Sequence, residues 1–151
     1  IPFSCLFTYY CLEMFFHLDW TMKYQSALVW SLVGLFTIAI SLHPHKMYPV
    51  VTGIMTIDIL VFLHFIAKVS WLAKATLTYV ALLPGFFLVN GVLTGTGLRA
   101  PIVNYDPNQI MNVRVLTIPI EDFVYGYALI LLNLYFFHVF RRRSPARAIK
   151  Q

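Results

Sequence analysis

Five apolar runs constrain this chain more than any other feature. They are Ile1 to Phe16, Ser26 to Leu42, Tyr48 to Ala67, Ala75 to Leu93 and Pro119 to Phe140. A run of about 20 apolar residues is long enough to cross a bilayer as a helix. In hydrocarbon no water is available for the backbone N–H and C=O groups, and a helix satisfies them within the segment. Hydrophobic residues make up 60% of the chain and charged residues 11%, against about 25% charged in a soluble domain. The sequence therefore predicts an all-α fold, a polytopic transmembrane helical bundle of about five spans. Ile1 to Phe16 is short for a span and reads as the end of one. With no initiator Met, no charged leader and an apolar start, the chain reads as a fragment lacking its N-terminal part.

The net charge of +5 does not point to a nucleic acid, because five of the eleven basic residues fall in positions 141–151. A basic tail beside a span sets topology and touches anionic lipid, so the expected partner is the lipid bilayer. Lys23, Lys68, Lys74, Arg141, Arg142, Arg143, Arg147 and Lys150 fall on one side of the alternating spans. Lys46, Arg99 and Arg114 fall on the other. The positive-inside bias predicts a multi-pass protein of the cell (cytoplasmic) membrane with a cytoplasmic C-terminus. Cys5 and Cys11 share the first run and read as packing residues.

The last span opens on chemistry. In Pro119–Ile120–Glu121–Asp122 the proline suits a first helical turn and the acids suit the positive end of the helix dipole. That is ordinary helix-start composition. The sharper reading is that two acids at a membrane boundary do proton chemistry on an apolar substrate. Asp122 shares a helical stripe with Gly126, Leu129 and Asn133, and an Asn deep in a span faces protein rather than lipid. Glu121 shares one with Tyr125, Ala128 and Leu132. The stripes adjoin, so both acids can border one cavity. By the same topology Asn90, at the end of the fourth span, reaches the face where Glu121 sits. The connection Thr94–Ile118 mixes Tyr105, Asp106 and Arg114 with apolar residues, and reads as a segment folded back over the bundle. Aromatic residues near the acids, Phe86, Phe87, Phe123 and Tyr125 among them, can stabilise a cation through their ring faces.

Other candidates have plainer accounts. Asp58, midway along the third run, is either functional or a hydrogen bond across the bundle. His64 and His138 lie at similar depth, where a haem would need them, yet both can reach interfacial water. His43 and His45 have no third metal ligand in view. Thr94–Gly95–Thr96–Gly97 has no preceding strand and no third glycine, so it is not a dinucleotide loop. No cofactor and no metal are expected.

Asn90–Gly91 with Leu93–Thr94–Gly95, then Tyr105–Asp106, Ile110 and Arg114, then Pro119–x–Glu121–Asp122–x–x–Tyr125–Gly126 resemble the membrane lycopene cyclases built from small "c" and "d" domains. The resemblance covers Phe86 to Phe140 best. It implies two related repeats, each with its own Pro-x-Glu-Glu/Asp motif, of which only the second is present here. Residues 1–46 would be the end of a preceding repeat plus a linking span, 47–140 the second three-span repeat, and 141–151 a basic tail. The resemblance further implies lycopene or a related linear carotene as substrate. The reaction would be its acid-catalysed, redox-neutral cyclisation to β-ionone rings by an intramolecular lyase (an isomerisation). Glu121 would be the acid, Asp122 its partner or the counter-charge, and Asn90 and Tyr105 orienting groups. Arg114 would tune the pair or anchor the connection, and Tyr125 completes the motif. A second cyclase domain or a homo-oligomer would supply what one motif lacks. The alternatives are a non-catalytic subunit that binds carotenoid or pairs with a cyclase domain, and a small transporter or electron-transfer protein.

Overall fold

A computed structural model describes residues 2–16 and 20–143. The helices are α1 (Pro2–Phe15), α2 (Trp20–Leu42), α3 (Met47–Val61), α4 (Leu72–Leu93) and α5 (Ile120–Arg143), with α3 continued by a π-helical turn, Phe62–Ile66. Two short strands, β1 (Arg114–Val115) and β2 (Ile118–Pro119), form an antiparallel hairpin before α5. The fold is the expected all-α bundle. Four segments are long and apolar enough to cross a membrane: Thr21–Leu42, Met47–Ile66, Leu72–Leu93 and Ile120–Arg141. At about 1.5 Å per residue, α1 rises only about 21 Å, short of a hydrocarbon core of about 30 Å. Residues 144–151, most of the basic tail, lie outside the described residues.

Two boundaries differ from the sequence reading. The second span begins at Trp20, six residues before Ser26. Gln25 makes the extension possible. Its side chain is buried, donates to the Val69 carbonyl at 2.7 Å and accepts the Leu72 amide at 3.1 Å. A polar residue inside the bundle is tolerated because both its ends are satisfied, and it ties α2 to the turn before α4. Pro119 is not in a helical first turn. It pairs with Arg114 in the hairpin, and the Ile120 amide donates to the Val113 carbonyl at 3.0 Å. The hairpin fixes the angle at which α5 starts.

Buried side chains from all five helices meet in one core, including Cys5, Val29, Leu60, Leu63, Leu72, Leu131 and Leu134. Thr52 and Thr56 donate back to carbonyls four residues earlier, at 2.7 Å each, so their hydroxyls are satisfied on the buried face of α3. Thr56 also reaches the Val124 carbonyl at 3.5 Å, where α3 lies against α5. Adjacent spans alternate in direction. The N-termini of α3 and α5 and the C-terminus of α4 therefore share one end of the bundle.

The connection between α4 and α5 folds over that end. Ile110 is 1% exposed, plugged into the bundle. The Tyr48 amide donates to the Gln109 carbonyl at 3.1 Å, and the Lys46 ammonium donates to the Ile110 carbonyl. Asn112 and Leu116 take positive φ (62° and 58°) to turn the chain back toward the hairpin.

Candidate functional site

The acid pair sits under this cap, and the two carboxyls have different surroundings. Both are buried, Glu121 at 1% exposure and Asp122 at 6%. Asp122 is gripped by two phenols. Tyr48 Oη donates to Oδ1 at 2.5 Å and Tyr105 Oη donates to Oδ2 at 2.7 Å. Tyr48 comes from the first turn of α3, and Tyr105 from the folded-back connection. Their ring centroids lie 5.8 Å apart. Two donors, one on each oxygen, fix the direction of the Asp122 carboxyl. Burial first, and then the bond to Asp122, push the Tyr105 phenol above its ordinary range.

Glu121 points elsewhere. Its Oε1 accepts the Met111 amide at 2.5 Å, while Oε2 is buried without a hydrogen-bond partner among the described residues. Of the two adjacent acids, one lines the cavity between the helices. That one is Asp122.

The cavity measures about 470 Å³ and lies among α4, α5 and Ser4 of α1, with Asp122, Tyr48 and Tyr105 at one end. Leu82, Phe86 and Asn90 line it from α4, and Tyr125, Gly126 and Leu129 from α5. Of the stripe Asp122, Gly126, Leu129 and Asn133 expected to face inward, the first three line the cavity, and the half-buried Asn133 donates to the Leu129 carbonyl at 2.8 Å. Gly126 allows close packing of the wall: a Cβ there would stand 2.9 Å from Cε2 of Phe86. Phe123 packs between Phe86 and Phe87, at 5.0 and 5.3 Å between ring centroids. Tyr79 lines the same wall and donates to the Phe123 carbonyl at 2.8 Å.

Of the residues singled out in the sequence, Asp122, Asn90, Tyr105 and Tyr125 meet at the cavity. Glu121 is behind it, and Arg114 reaches it indirectly. The guanidinium donates to the Thr117 carbonyl at 2.8 Å and lies 5.9 Å from the centre of the Tyr105 ring. It braces the hairpin and one of the two phenols rather than either carboxyl. Tyr48 was missed. It opens the third span on the face where the acid pair opens the fifth, which is the signal that could have found it.

The remaining candidates lie away from the cavity. Asp58 is exposed on the outer face of α3. His64 contacts Ser26 Oγ at 3.3 Å, and His138 stacks on Trp71 with centroids 5.2 Å apart. These histidines belong to separate packing arrangements. Among the described residues no three His, Cys, Asp or Glu side chains cluster as a metal site would require.

The family model described as Lycopene cyclase matches residues 45–140. This chain belongs to the lycopene cyclase family. No curated protein and no solved structure matches it. The matched segment contains both phenols, the folded-back connection, the acid pair and the three spans α3, α4 and α5. Membership ties the chain to carotenoid cyclisation, and the four apolar spans place a lycopene cyclase family protein across a membrane as a multi-pass chain.

Proposed function

We propose that this chain is a lycopene β-cyclase that closes the ends of lycopene, or a related linear carotene, into β-ionone rings. One observation carries the reading: a buried carboxyl, aimed by two phenols, stands at the end of an apolar cavity lined with aromatic rings. Asp122 delivers a proton to the terminal double bond of the carotene end. The neighbouring double bond attacks the tertiary cation, and one carbon–carbon bond forms. Asp122, now anionic and still held by the two phenol O–H groups, balances the ring cation and then removes a ring proton. One proton enters and one leaves, so product and substrate have the same composition and no redox partner is needed. The faces of Phe86, Tyr105 and Tyr125 attract the positive charge without trapping it. The cap formed by the α4–α5 connection keeps out water, which would otherwise capture the cation.

In this scheme Asp122 is the acid, in place of Glu121, which the motif alone favoured. Glu121 holds the cap through the Met111 amide, Asn90 and Tyr125 orient the carotene end, and Arg114 supports Tyr105. We further assign residues 1–46 to the end of a preceding repeat with a linking span, 47–140 to the second repeat, and 141–151 to a basic tail. The Lys and Arg distribution supports a cytoplasmic C-terminus in the cell membrane. A second cyclase domain or second copy remains part of the proposal as the source of the first acid motif.

The test is pigment chromatography of a lycopene-accumulating bacterium expressing the complete reading frame. Cyclic carotene from the parent, and lycopene alone from Asp122→Asn at equal membrane level, is the expected outcome. Lycopene alone from a well-folded parent overturns the reading.

A further inference from the structure

Among the described residues that line the cavity, Asp122 is the one carboxyl, and its two oxygens are held separately. Tyr48 donates to Oδ1 at 2.5 Å and Tyr105 to Oδ2 at 2.7 Å. Each phenol is anchored on its own element. In the first turn of α3, the Tyr48 amide donates to the Gln109 carbonyl at 3.1 Å, and the Tyr48 carbonyl accepts Thr52 Oγ1 at 2.7 Å. Tyr105 stands in the α4–α5 connection, with the Arg114 guanidinium 5.9 Å from its ring centre. Asp122 itself is set by the first turn of α5. Three elements thus triangulate one carboxyl, and neither oxygen can swing without breaking a bond to a phenol. A carboxylate has about four acceptor positions, so each oxygen keeps a lone pair for a proton. Donating a proton needs only one oxygen in reach. A grip on both oxygens asks for a second role.

The cyclisation supplies that role. Protonation and ring closure leave the positive charge on a methyl-bearing ring carbon. Loss of a proton from the junction carbon, where the polyene joins the ring, gives a β ring. Loss from the ring methylene gives an ε ring, and loss from the methyl gives a γ ring. The carbon that received the proton is separated by one ring atom from the junction carbon and by one from the methylene. A carboxylate over that carbon therefore favours neither by position alone, and the direction of its oxygens breaks the tie. We propose that Tyr48 and Tyr105 select the ring type, by holding the Asp122 carboxylate so that it meets one of these protons and not the others. This rests on the cyclase reading and adds the residues that choose its product. In every case a C–H bond breaks, its electron pair becomes the ring double bond and the proton returns to Asp122, so the products are isomers. The phenols act through Asp122 and are positioning residues.

The experiment expresses the complete reading frame in lycopene-accumulating cells, as the parent, as Tyr48→Phe, as Tyr105→Phe and with both substitutions. Tyr135→Phe, whose ring packs against Phe62 and Phe136 outside the cavity lining, is the control. The readout is the share of each ring isomer in the cyclic carotene formed, separated by chromatography. Membrane level and thermal unfolding report folding. Slower turnover or lower stability changes the amount of product and leaves its isomer ratio alone. The parent and Tyr135→Phe should give one ring type. Each phenol variant should raise the share of a second isomer by about tenfold or more relative to the parent, the effect of losing one hydrogen bond to a charged group. Folded phenol variants that keep the parent's single isomer at lower yield overturn the selection. So do folded variants with no cyclic product, because the phenols then serve turnover itself, and so does a parent that already yields mixed rings. A folded parent that leaves only lycopene overturns the cyclase reading on which the selection rests.

Discussion

Asp122 and Glu121 are neighbours in sequence, and their hydrogen bonds rank them. Asp122 faces the cavity between two phenols, while Glu121 supports a backbone amide behind it. Loss of a general acid typically costs 10²–10⁴-fold, so Asp122→Asn should lower cyclisation by at least about 100-fold. Glu121→Gln keeps a carbonyl oxygen for the Met111 amide and should retain more activity than Asp122→Asn at matched membrane levels. Equal loss in both would return Glu121 to the role of acid. Tyr48→Phe removes one charge-assisted bond, worth about 1.5–3 kcal/mol, and should slow turnover by roughly 10- to 100-fold. Tyr105 also carries a pH signature. Its pKa is raised in the fold, so it contributes stability that is fully present below the ordinary phenol pKa of about 10 and is lost as pH rises through the folded value. In alkaline titration of the folded protein, the phenolate absorbance removed by Tyr105→Phe should appear later than that of an exposed tyrosine.

Helices and connection divide the work between scaffold and cap. The spans supply the walls, and the connection supplies Tyr105 and the seal, held by Lys46, Tyr48 and Glu121. Ile110 is the plug of that cap. Ile110→Ala removes a fully buried side chain and should destabilise by about 2–5 kcal/mol, read as a lower unfolding temperature in detergent together with reduced cyclisation. Unchanged stability would mean that the cap is not packed as described. At the α4–α5 wall, Gly126→Ala forces a Cβ toward the Phe86 ring. Overpacking of this kind costs about 1–3 kcal/mol and should appear as a smaller drop in unfolding temperature. The existence and order of these spans were legible because lipid demands long apolar helices. The start of α2 at Trp20 and the strand at Pro119 were not, because they depend on partners distant in sequence: Val69 and Leu72 for Gln25, and Arg114 for Pro119.

At the scale of the molecule, the alternating spans bring the ends of three helices and one connection together on one side. Cysteines added at His45 and Asn108 should react with an impermeant thiol reagent from the same membrane face, and one added at Ser70 from the opposite face. Labelling of all three from one face would break the four-span arrangement. Asp58, exposed on α3 and far along the helix from Tyr48, takes no part in the site. Asp58→Asn should cyclise carotene near the parent rate.

The sequence by itself determined the class of fold, the order of the spans and the motif in which the acids stand. Lipid excludes unsatisfied backbone, and a helix of about 20 apolar residues is the local answer to that demand. Asn90, Tyr105, Asp122 and Tyr125 could be gathered from motif and topology alone. Only the tertiary structure decided which carboxyl faces the cavity, that Tyr48 completes its grip, and that Arg114 braces a phenol instead of an acid. Those outcomes depend on side-chain direction and on contacts between residues as much as 74 positions apart, which neither hydropathy nor spacing encodes.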